Sequence, residues 1–246
     1  MPETIRLFVE DRITPGASIA LGKTQVHYIL HVLRRRAGES VNLFNGRDGE
    51  WRATIETAAR NACSVRVGEQ LAAQRAEPDL WLLFAPVKRA PIDMIATKAT
   101  ELGVSALCPV LTRHTIVTRV NVERLRANAV EAAEQCGRLT VPEVVAPKPL
   151  ADSLAHWPEE RALVLCDETG TAPPIADALN GQGGARTKWA VLIGPEGGFA
   201  QSELDALGKL PFVTRVGLGP RLLRADTAAI AALSCLQALV GDWRMS

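Results

Sequence analysis

Four short runs of consecutive apolar residues constrain the fold of this chain more than any other feature. The runs are residues 80–85, 163–166, 189–193 and 213–218. A strand that is apolar on both faces is typical of a parallel sheet, because helices cover both sides of such a sheet. Predicted helices alternate with the runs, at residues 91–102, 122–136, 201–207 and 225–240. This alternation predicts an α/β domain with a mostly parallel sheet.

The N-terminal part of the chain has a different pattern of short alternating runs and turns. Ser40–Phe44 and Trp51–Ile55 alternate on either side of the turn residues 45–49, which predicts a β-hairpin. Residues 63–67 alternate in the same way and predict another strand. Together they indicate a small β-rich barrel or sandwich.

The change of pattern near residues 70–78 divides the chain into two predicted domains. Residues 1–73 form the β-rich domain, with one short helix expected over Thr24–Leu33 and Thr24 as its N-cap. Residues 74–246 form the α/β domain, in which Gly181–Gly184 is expected to be a surface loop.

Charge and cysteine content exclude several classes of protein. With 28 Lys and Arg against 27 Asp and Glu, the chain is not held on nucleic acid by bulk charge. The five cysteines include no Cys-x-x-Cys pair, which argues against disulfides and cysteine zinc sites and favours a reducing compartment. Because no signal peptide or membrane span is apparent, we expect a soluble, cytoplasmic protein.

The first candidate site follows the third apolar run. Gly194-Pro195-Glu196-Gly197-Gly198 comes directly after Ile193 and precedes a predicted helix. Ligands of open parallel sheets bind beyond the carboxyl ends of the strands, and glycines let the backbone approach a ligand closely. No Gly-Lys-Ser/Thr follows, so the segment is not a phosphate-binding P-loop. The alternative is a tight turn without a ligand.

The second candidate site follows the fourth apolar run. Gly217 and Gly219 are followed by Arg221 and Arg224, just before a long apolar helix. Two arginines in a Gly-Pro loop suit an anionic or planar group. Asp226 and Thr227 stand at the helix start, where helix capping is an equally good explanation for the carboxylate.

Two further clusters allow a functional and a structural reading. Glu134–Arg138 ends a predicted helix, with Gly137 as C-cap, and Arg138 could simply complement the helix dipole. Lys98 and Glu101 lie three residues apart on one helix face, which also suits an ordinary surface ion pair. His27 and His31 have metal-ligand spacing, but no third ligand accompanies them, so no metal is expected.

Together these motifs resemble the bacterial 16S ribosomal RNA uridine-N3 methyltransferase family, a SPOUT-class family that uses S-adenosylmethionine. The resemblance covers essentially the whole chain. The matching segments are residues 31–34, 44–46, 98–104, 134–138, 192–199 and 218–224.

The resemblance implies a small PUA-like β-barrel for RNA, followed by an α/β SPOUT domain with a C-terminal trefoil knot and a mostly parallel sheet. It also implies a homodimer that acts on 16S ribosomal RNA or the small ribosomal subunit, with S-adenosylmethionine in the knot loops. The implied cofactor-binding residues are Leu165, Ile193, Gly194, Pro195, Glu196, Gly197, Gly198, Leu218, Gly219, Leu222, Leu223, Arg224 and Thr227. The basic residues expected to contact RNA are Arg34, Arg35, Arg36, Arg47, Arg52, Lys88 and Arg89. For this basic set, a solvated surface face is the alternative.

Two residues depart from the family pattern. Asp226 stands where the family commonly has Glu, and Ala200 where it commonly has Ser or Thr. Alanine cannot provide the N-cap hydrogen bond, which is typically worth about 1 kcal/mol. Neither departure removes a glycine loop.

Methylation of uridine N3 requires loss of the N3 proton, so a base or cations that stabilise the uridine anion are needed. The expected catalytic cations are Arg138, Arg221 and Arg224. Glu101, Glu196 and Asp226 are the possible bases, and the sequence does not choose among them.

Three other functions remain open at this point. The chain could be a non-enzymatic RNA-binding protein, but the intact glycine loops and their arginines argue against this. It could be an enzyme that binds the phosphates of a nucleotide, but the absence of a P-loop lysine argues against this. A methyltransferase that acts on another RNA, such as the ribose or a guanine of transfer RNA, differs from the favoured reading only in its target.

Overall fold

A computed structural model describes residues 5–87, 89–117, 119–180, 182 and 188–244, with only the backbone of Arg89 and Ala90. The chain divides into two compact units. Unit 1 comprises Met1–Ala76 and Val130–Val141, and unit 2 comprises Glu77–Ala129 and Pro142–Ser246. The predicted boundary at residue 73 and the extent of the two domains stay predictions. Most of the predicted loop at residues 181–184 lies outside the described residues.

Unit 1 contains a five-stranded sheet. Its strands are β1 (Arg6–Phe8), β2 (Ser18–Ala20), β3 (Ser40–Phe44), β4 (Glu50–Ala59) and β5 (Ala62–Ala72). They lie in the order β1-β3-β4-β5-β2, in which only the β1–β3 pair is parallel. Alternate residues of β4 and β5, such as Ile55 and Val65, are buried in one apolar core.

The predicted hairpin is confirmed, and its turn is built by one asparagine. The Asn45 side-chain oxygen accepts the N–H groups of Arg47 and Asp48 at 3.0 and 2.9 Å. Asp48 in turn accepts the Ile13 N–H, and this bond together with that from Asn45 lowers the pKa of Asp48. Side-chain bonds of this kind are how an asparagine stabilises a tight turn.

The predicted helix over Thr24–Leu33 is only partly correct. Helix α1 spans Lys23–His27, and a single π-helical turn continues it over Tyr28–Val32. Its N-cap is Gly22 and not Thr24, because the Gln25 side chain accepts the Gly22 N–H at 3.2 Å and places the N-cap two residues earlier.

Arg6 anchors the C-terminal segment of unit 1. Its guanidinium donates to the carbonyl oxygens of Ala133 and Arg138 at 2.7 and 2.6 Å. It also pairs with Glu50 at 3.1 Å and lies over the Phe44 ring at 4.4 Å. A cation at these carbonyls satisfies groups that the end of a helix leaves unpaired.

Unit 2 contains a seven-stranded sheet whose paired strands are all parallel. Its strands are β6 (Asp79–Phe84), β7 (Ala106–Leu111), β8 (Glu143–Val144), β9 (Lys148–Pro149), β10 (Arg161–Cys166), β11 (Lys188–Ile193) and β12 (Val213–Val216). They lie in the order β12-β10-β11-β6-β7-β8, and β9 also pairs with β7. The mostly parallel sheet expected from the apolar runs is confirmed, and β10 is buried along its whole length.

Helices connect these strands. They are α2 (Arg89–Glu101), α3 (Val122–Cys136), α4 (Leu150–Leu154), α5 (Ile175–Leu179), α6 (Gln201–Leu207) and α7 (Ala225–Leu239). From Val130 onward, α3 belongs to unit 1. Gly137 follows α3 with a φ of +83°, as expected of a glycine C-cap.

Replacing Arg6 by alanine should strongly destabilise unit 1. The substitution leaves several carbonyl oxygens and the largely buried Glu50 without their cation, which typically costs about 3 kcal/mol. Urea unfolding followed by circular dichroism measures this cost. Arg52→Ala is the control, because Arg52 pairs with Glu69 at the surface and such pairs contribute about 1 kcal/mol or less. Equal losses in the two variants would contradict the anchoring role.

Candidate functional site

Three neighbouring strands of unit 2 end at the same edge of the sheet. Strand β10 lies between β11 and β12, and both pairs are parallel. The segments that follow them therefore emerge side by side, about 5 Å apart per strand. Both predicted glycine loops belong to this edge, which is where ligands bind in open parallel sheets.

The first glycine loop is residues 194–200, after β11. It turns through a hydrogen bond from the Gly198 N–H to the Pro195 oxygen at 2.9 Å. Gly198 has a φ of +70°, and a Cβ on Gly194 would lie 2.8 Å from the Phe199 ring. Glycine is required at both positions, for conformation at one and for space at the other.

Two side chains from other segments hold this loop. Glu168, just beyond β10, accepts the Phe199 N–H at 3.0 Å and occupies the space that a Cβ on Gly198 would need. His114, beyond β7, has Nδ1 at 3.2 and 3.1 Å from the carbonyl oxygens of Gly197 and Gly198. Because both partners are acceptors, Nδ1 carries the proton.

Helix α6 begins without a side-chain N-cap, as expected from Ala200. Glu203 compensates in part for the missing cap, because its carboxylate accepts the Ala200 N–H at 2.9 Å. Its other oxygen accepts the Arg113 N–H at 2.9 Å and connects the helix start to the segment after β7.

The segment after β10 lies along the end of β12. Gly217 donates to the Pro173 oxygen at 2.8 Å and accepts the Ile175 N–H at 3.1 Å. Asp167 accepts the Arg215 Nε–H at 3.0 Å. Burial alone would raise the pKa of Asp167, but bonds from Thr169 and Arg215 outweigh burial and lower it.

The second glycine loop, residues 217–224 after β12, is open to solvent. A Cβ on Gly219 would meet nothing within 4 Å, and Gly219 has a φ of +99°. Within the described part of the chain, the backbone N–H groups of residues 218, 219 and 221–223 have no hydrogen-bond partner. The loop therefore presents several free donors at the same edge, with β10 between it and the first glycine loop.

The residues predicted to bind a cofactor all lie at this edge, but they differ in exposure. The Leu165 and Ile193 side chains are buried, so only their backbones could face a ligand. Leu222 is 86% exposed, Leu223 is half-buried, and Thr227 is exposed. The remaining members of the set, Gly194, Pro195, Glu196, Gly197, Gly198, Leu218, Gly219 and Arg224, belong to the two loops.

Of the predicted catalytic residues, three lie at this edge. Arg221 and Arg224 are exposed on the second loop, with no ion pair among the described residues. Asp226 accepts the Thr227 N–H at 2.7 Å, so its carboxylate satisfies one free donor of α7. Glu196, another possible base, is exposed in the first loop.

The other two predicted catalytic residues do not belong to these loops. Helix α2 runs from the end of β6 to the start of β7, so Glu101 lies at the edge where the strands begin. There it pairs with Lys98 at 2.8 Å, as the alternative reading predicted. Arg138 is buried in unit 1, where it donates to Thr140 at 3.0 Å.

The predicted RNA-binding arginines of unit 1 are on its surface. Arg34, Arg36 and Arg47 are exposed, while Arg35 pairs with Glu39 at 2.9 Å. The bond from Arg35 contributes most to lowering the pKa of Glu39. Arg52 pairs with Glu69. Lys88 lies outside the described residues, as does the side chain of Arg89.

Sequence reasoning missed Glu168 and His114. Glu168 follows an apolar run, so the strand-end argument would have pointed to it. No local sequence pattern points to His114, because the residues that it contacts are 83 and 84 positions away in sequence.

The two glycine loops and the free N–H groups of the second one fit a nucleoside-containing cofactor such as S-adenosylmethionine, because backbone groups can hold such a ligand. No group of three potential metal ligands occurs among the described residues. A search of the same residues for a helix that could span a membrane found none.

Two protein families match this chain. The RNA methyltransferase domain matches residues 75–237, and the RNA methyltransferase PUA domain matches residues 21–68. The chain is thus an RNA methyltransferase with a PUA domain.

Individual relatives indicate which group of RNA methyltransferases this chain belongs to. Ribosomal RNA small subunit methyltransferase E of Rickettsia conorii is 31% identical over 95% of each chain. That of Bacillus subtilis is 26% identical over 94% of this chain and 95% of its own. The chain belongs to the ribosomal RNA small subunit methyltransferase E family.

Solved structures agree with the fold. The enzyme of this family from Neisseria gonorrhoeae, bound to S-adenosylmethionine, is 26% identical, with a TM-score of 0.87 over 98% of this chain and 100% of its own. A Legionella pneumophila methyltransferase with bound S-adenosylmethionine is 31% identical, with a TM-score of 0.86 over 96% of this chain and 98% of its own.

Gly198 and Gly197 form a matched pair for testing the first loop. Gly198→Ala combines a left-handed backbone with overlap on Glu168, so unfolding experiments should show a loss of about 2 kcal/mol or more. Gly197→Ala should cost far less, because its Cβ would lie 3.5 Å from His114, an ordinary contact. Equal losses would contradict both the backbone strain at Gly198 and the overlap with Glu168.

Asp167→Asn should destabilise the protein in a pH-dependent way. The folded-state pKa of Asp167 is lowered, so its stabilisation is present above the unfolded pKa of about 4 and is lost as pH falls through the folded value. The wild type should therefore exceed the variant by about 1–3 kcal/mol at neutral pH, and the difference should shrink in acid. A difference that stays constant from pH 7 to pH 2 would contradict this role.

Proposed function

We propose that this protein transfers the methyl group of S-adenosylmethionine to N3 of a uridine in 16S ribosomal RNA. One observation carries the proposal: two glycine loops lie on either side of β10 at the carboxyl edge of a parallel sheet, in a chain of the small subunit methyltransferase E family. Bound S-adenosylmethionine in two similar structures supports the choice of cofactor.

The proposal includes the finer features of the fold. Unit 2 is a SPOUT domain whose C-terminal part forms a trefoil knot, and the sheet of unit 1 closes into a PUA-like barrel. The domains are residues 1–73 and 74–246. The hydrogen bonds between Gly217 and the segment after β10 support a knotted arrangement. They connect the end of the last strand, β12, to residues 173–175, about forty residues earlier in the chain.

The two glycine loops would hold the cofactor mainly through backbone groups. When bound, S-adenosylmethionine supplies a methyl group on a positively charged sulfur. The free N–H groups of the second loop suit polar atoms of an adenosine, and Leu223 offers an apolar surface. Glu168 and His114 keep the first loop in one shape, which reduces the ordering cost of binding.

The protein's contribution to the reaction is positioning and charge. Uridine N3 must lose its proton, and the resulting anion needs nearby cations. Arg221 and Arg224 have exposed guanidinium groups at the site edge, while Glu196 and Asp226 are the nearby carboxylates that could accept the proton. Arg138 and Glu101, which do not belong to the two loops, stay predicted catalytic residues.

RNA would be held largely by unit 1. Its exposed arginines Arg34, Arg36 and Arg47 suit phosphates, and the PUA match supports this role. The partners are 16S ribosomal RNA or the small subunit and a second copy of the chain in a homodimer. The proposed RNA substrate implies action in the cytoplasm.

The Arg224→Ala variant distinguishes two possible roles of Arg224, stabilisation of the uridine anion and binding of the cofactor. If Arg224 stabilises the uridine anion, calorimetry should show unchanged S-adenosylmethionine affinity while single-turnover methylation of 16S RNA falls at least tenfold. If Arg224 binds the cofactor carboxylate, affinity should fall by about 1–3 kcal/mol. Unchanged affinity and unchanged methylation would exclude both roles.

Mass mapping of 16S RNA from a knockout strain tests the function itself. A single missing N3-methyluridine, restored by the wild-type gene, is the expected result. A missing methyl group on another RNA, or none at all, would overturn the assignment.

A further inference from the structure

Unit 2 has a concave region beyond the ends of β6 and β7. It is a cleft of about 550 Å³. The lining comes from the start of α2, the segment before α3 and the first turn of α3, and its polar members are Asp93, Arg119, Asn121 and Arg124. None of these residues was singled out in the sequence.

The cleft lies at the same edge of the sheet as the glycine loops. Its walls follow β6 and β7, which end at the carboxyl edge because the whole sheet is parallel. Strand β6 is the direct neighbour of β11. Two strand spacings, about 10 Å, therefore separate the end of β7 from the end of β11. That separation is within reach of one RNA strand.

The charges in the cleft are unevenly paired. Arg124 pairs with Asp93, and Asn128 donates to the other oxygen of that carboxylate at 2.9 Å. Arg119 is exposed and has neither ion pair nor hydrogen bond among the described residues. Two guanidinium groups and one carboxylate thus leave the cleft with a net positive charge.

The start of α3 adds to this potential. The Asn121 side chain accepts the Arg124 N–H at 3.0 Å and caps the helix. The remaining N–H groups of the first turn and the helix dipole favour an anion at this end. A planar guanidinium that has no carboxylate partner is well suited to a phosphate.

We propose that this cleft binds a backbone phosphate of the substrate RNA close to the target uridine, with Arg119 as the main contact. This inference rests on the proposed function, since it locates the RNA strand that the glycine loops would serve. It assigns unit 2 a share of RNA binding in addition to the arginines of unit 1.

Arg119→Ala tests the contact, and Lys209→Ala is the matched control. Both side chains are exposed and each substitution removes one positive charge, but Lys209 precedes β12 at the opposite edge of the sheet. Affinity for 16S ribosomal RNA is measured by filter binding from low to high salt. In the Arg119 variant, affinity should fall about three- to tenfold at low salt, and the slope of log affinity against log salt should become shallower by about 0.7.

Arg119→Lys completes the design. It keeps the charge, so the salt slope should return while part of the affinity stays lost with the bidentate geometry. Equal affinities and slopes for Arg119→Ala and Lys209→Ala would overturn the inference. Failure of the proposed function would look different, because the wild-type protein itself would then neither bind S-adenosylmethionine nor methylate 16S RNA.

Discussion

The parallel arrangement of β11, β10 and β12 is the constraint on which the rest of the candidate site depends. The two glycine loops begin more than twenty residues apart in sequence, and only the shared direction of the strands brings them to one edge. Reversing any of these strands would send its loop to the opposite side of unit 2. The burial of β10 on both faces agrees with this arrangement, because the crossover helices of a parallel sheet cover both of its faces.

The first loop shows how a site with many glycines can still have one shape. Glycine favours the unfolded chain through its extra freedom, so such a loop needs contacts that restrict it. Glu168 and His114 supply them from two other strand ends, and they use the backbone of the loop instead of its side chains. The surface of the loop that faces solvent is thereby left clear for a ligand.

Much of the fold could be predicted from the sequence, since α3 and α6 have the predicted bounds and the apolar runs became strands. Strand β7 was missed because Pro109 interrupts its apolar run and argues against a central strand. The short edge strands β1 and β2 have three residues each, too few for a recognisable alternation. Within the site, the glycine loops were visible locally, whereas contacts such as that of His114 depend on the tertiary fold alone.

Two of the predicted catalytic residues, Glu101 and Arg138, have partners within their own unit. Glu101 is neutralised by Lys98, and Arg138 is enclosed in unit 1, where Arg6 donates to its carbonyl oxygen. At the edge itself, Arg221 and Arg224 have no carboxylate partner among the described residues, whereas Asp226 accepts the Thr227 N–H at the start of α7. We therefore expect these two exposed cations to lower the cost of the uridine anion, with the proton leaving to an exposed carboxylate such as Glu196 or to solvent.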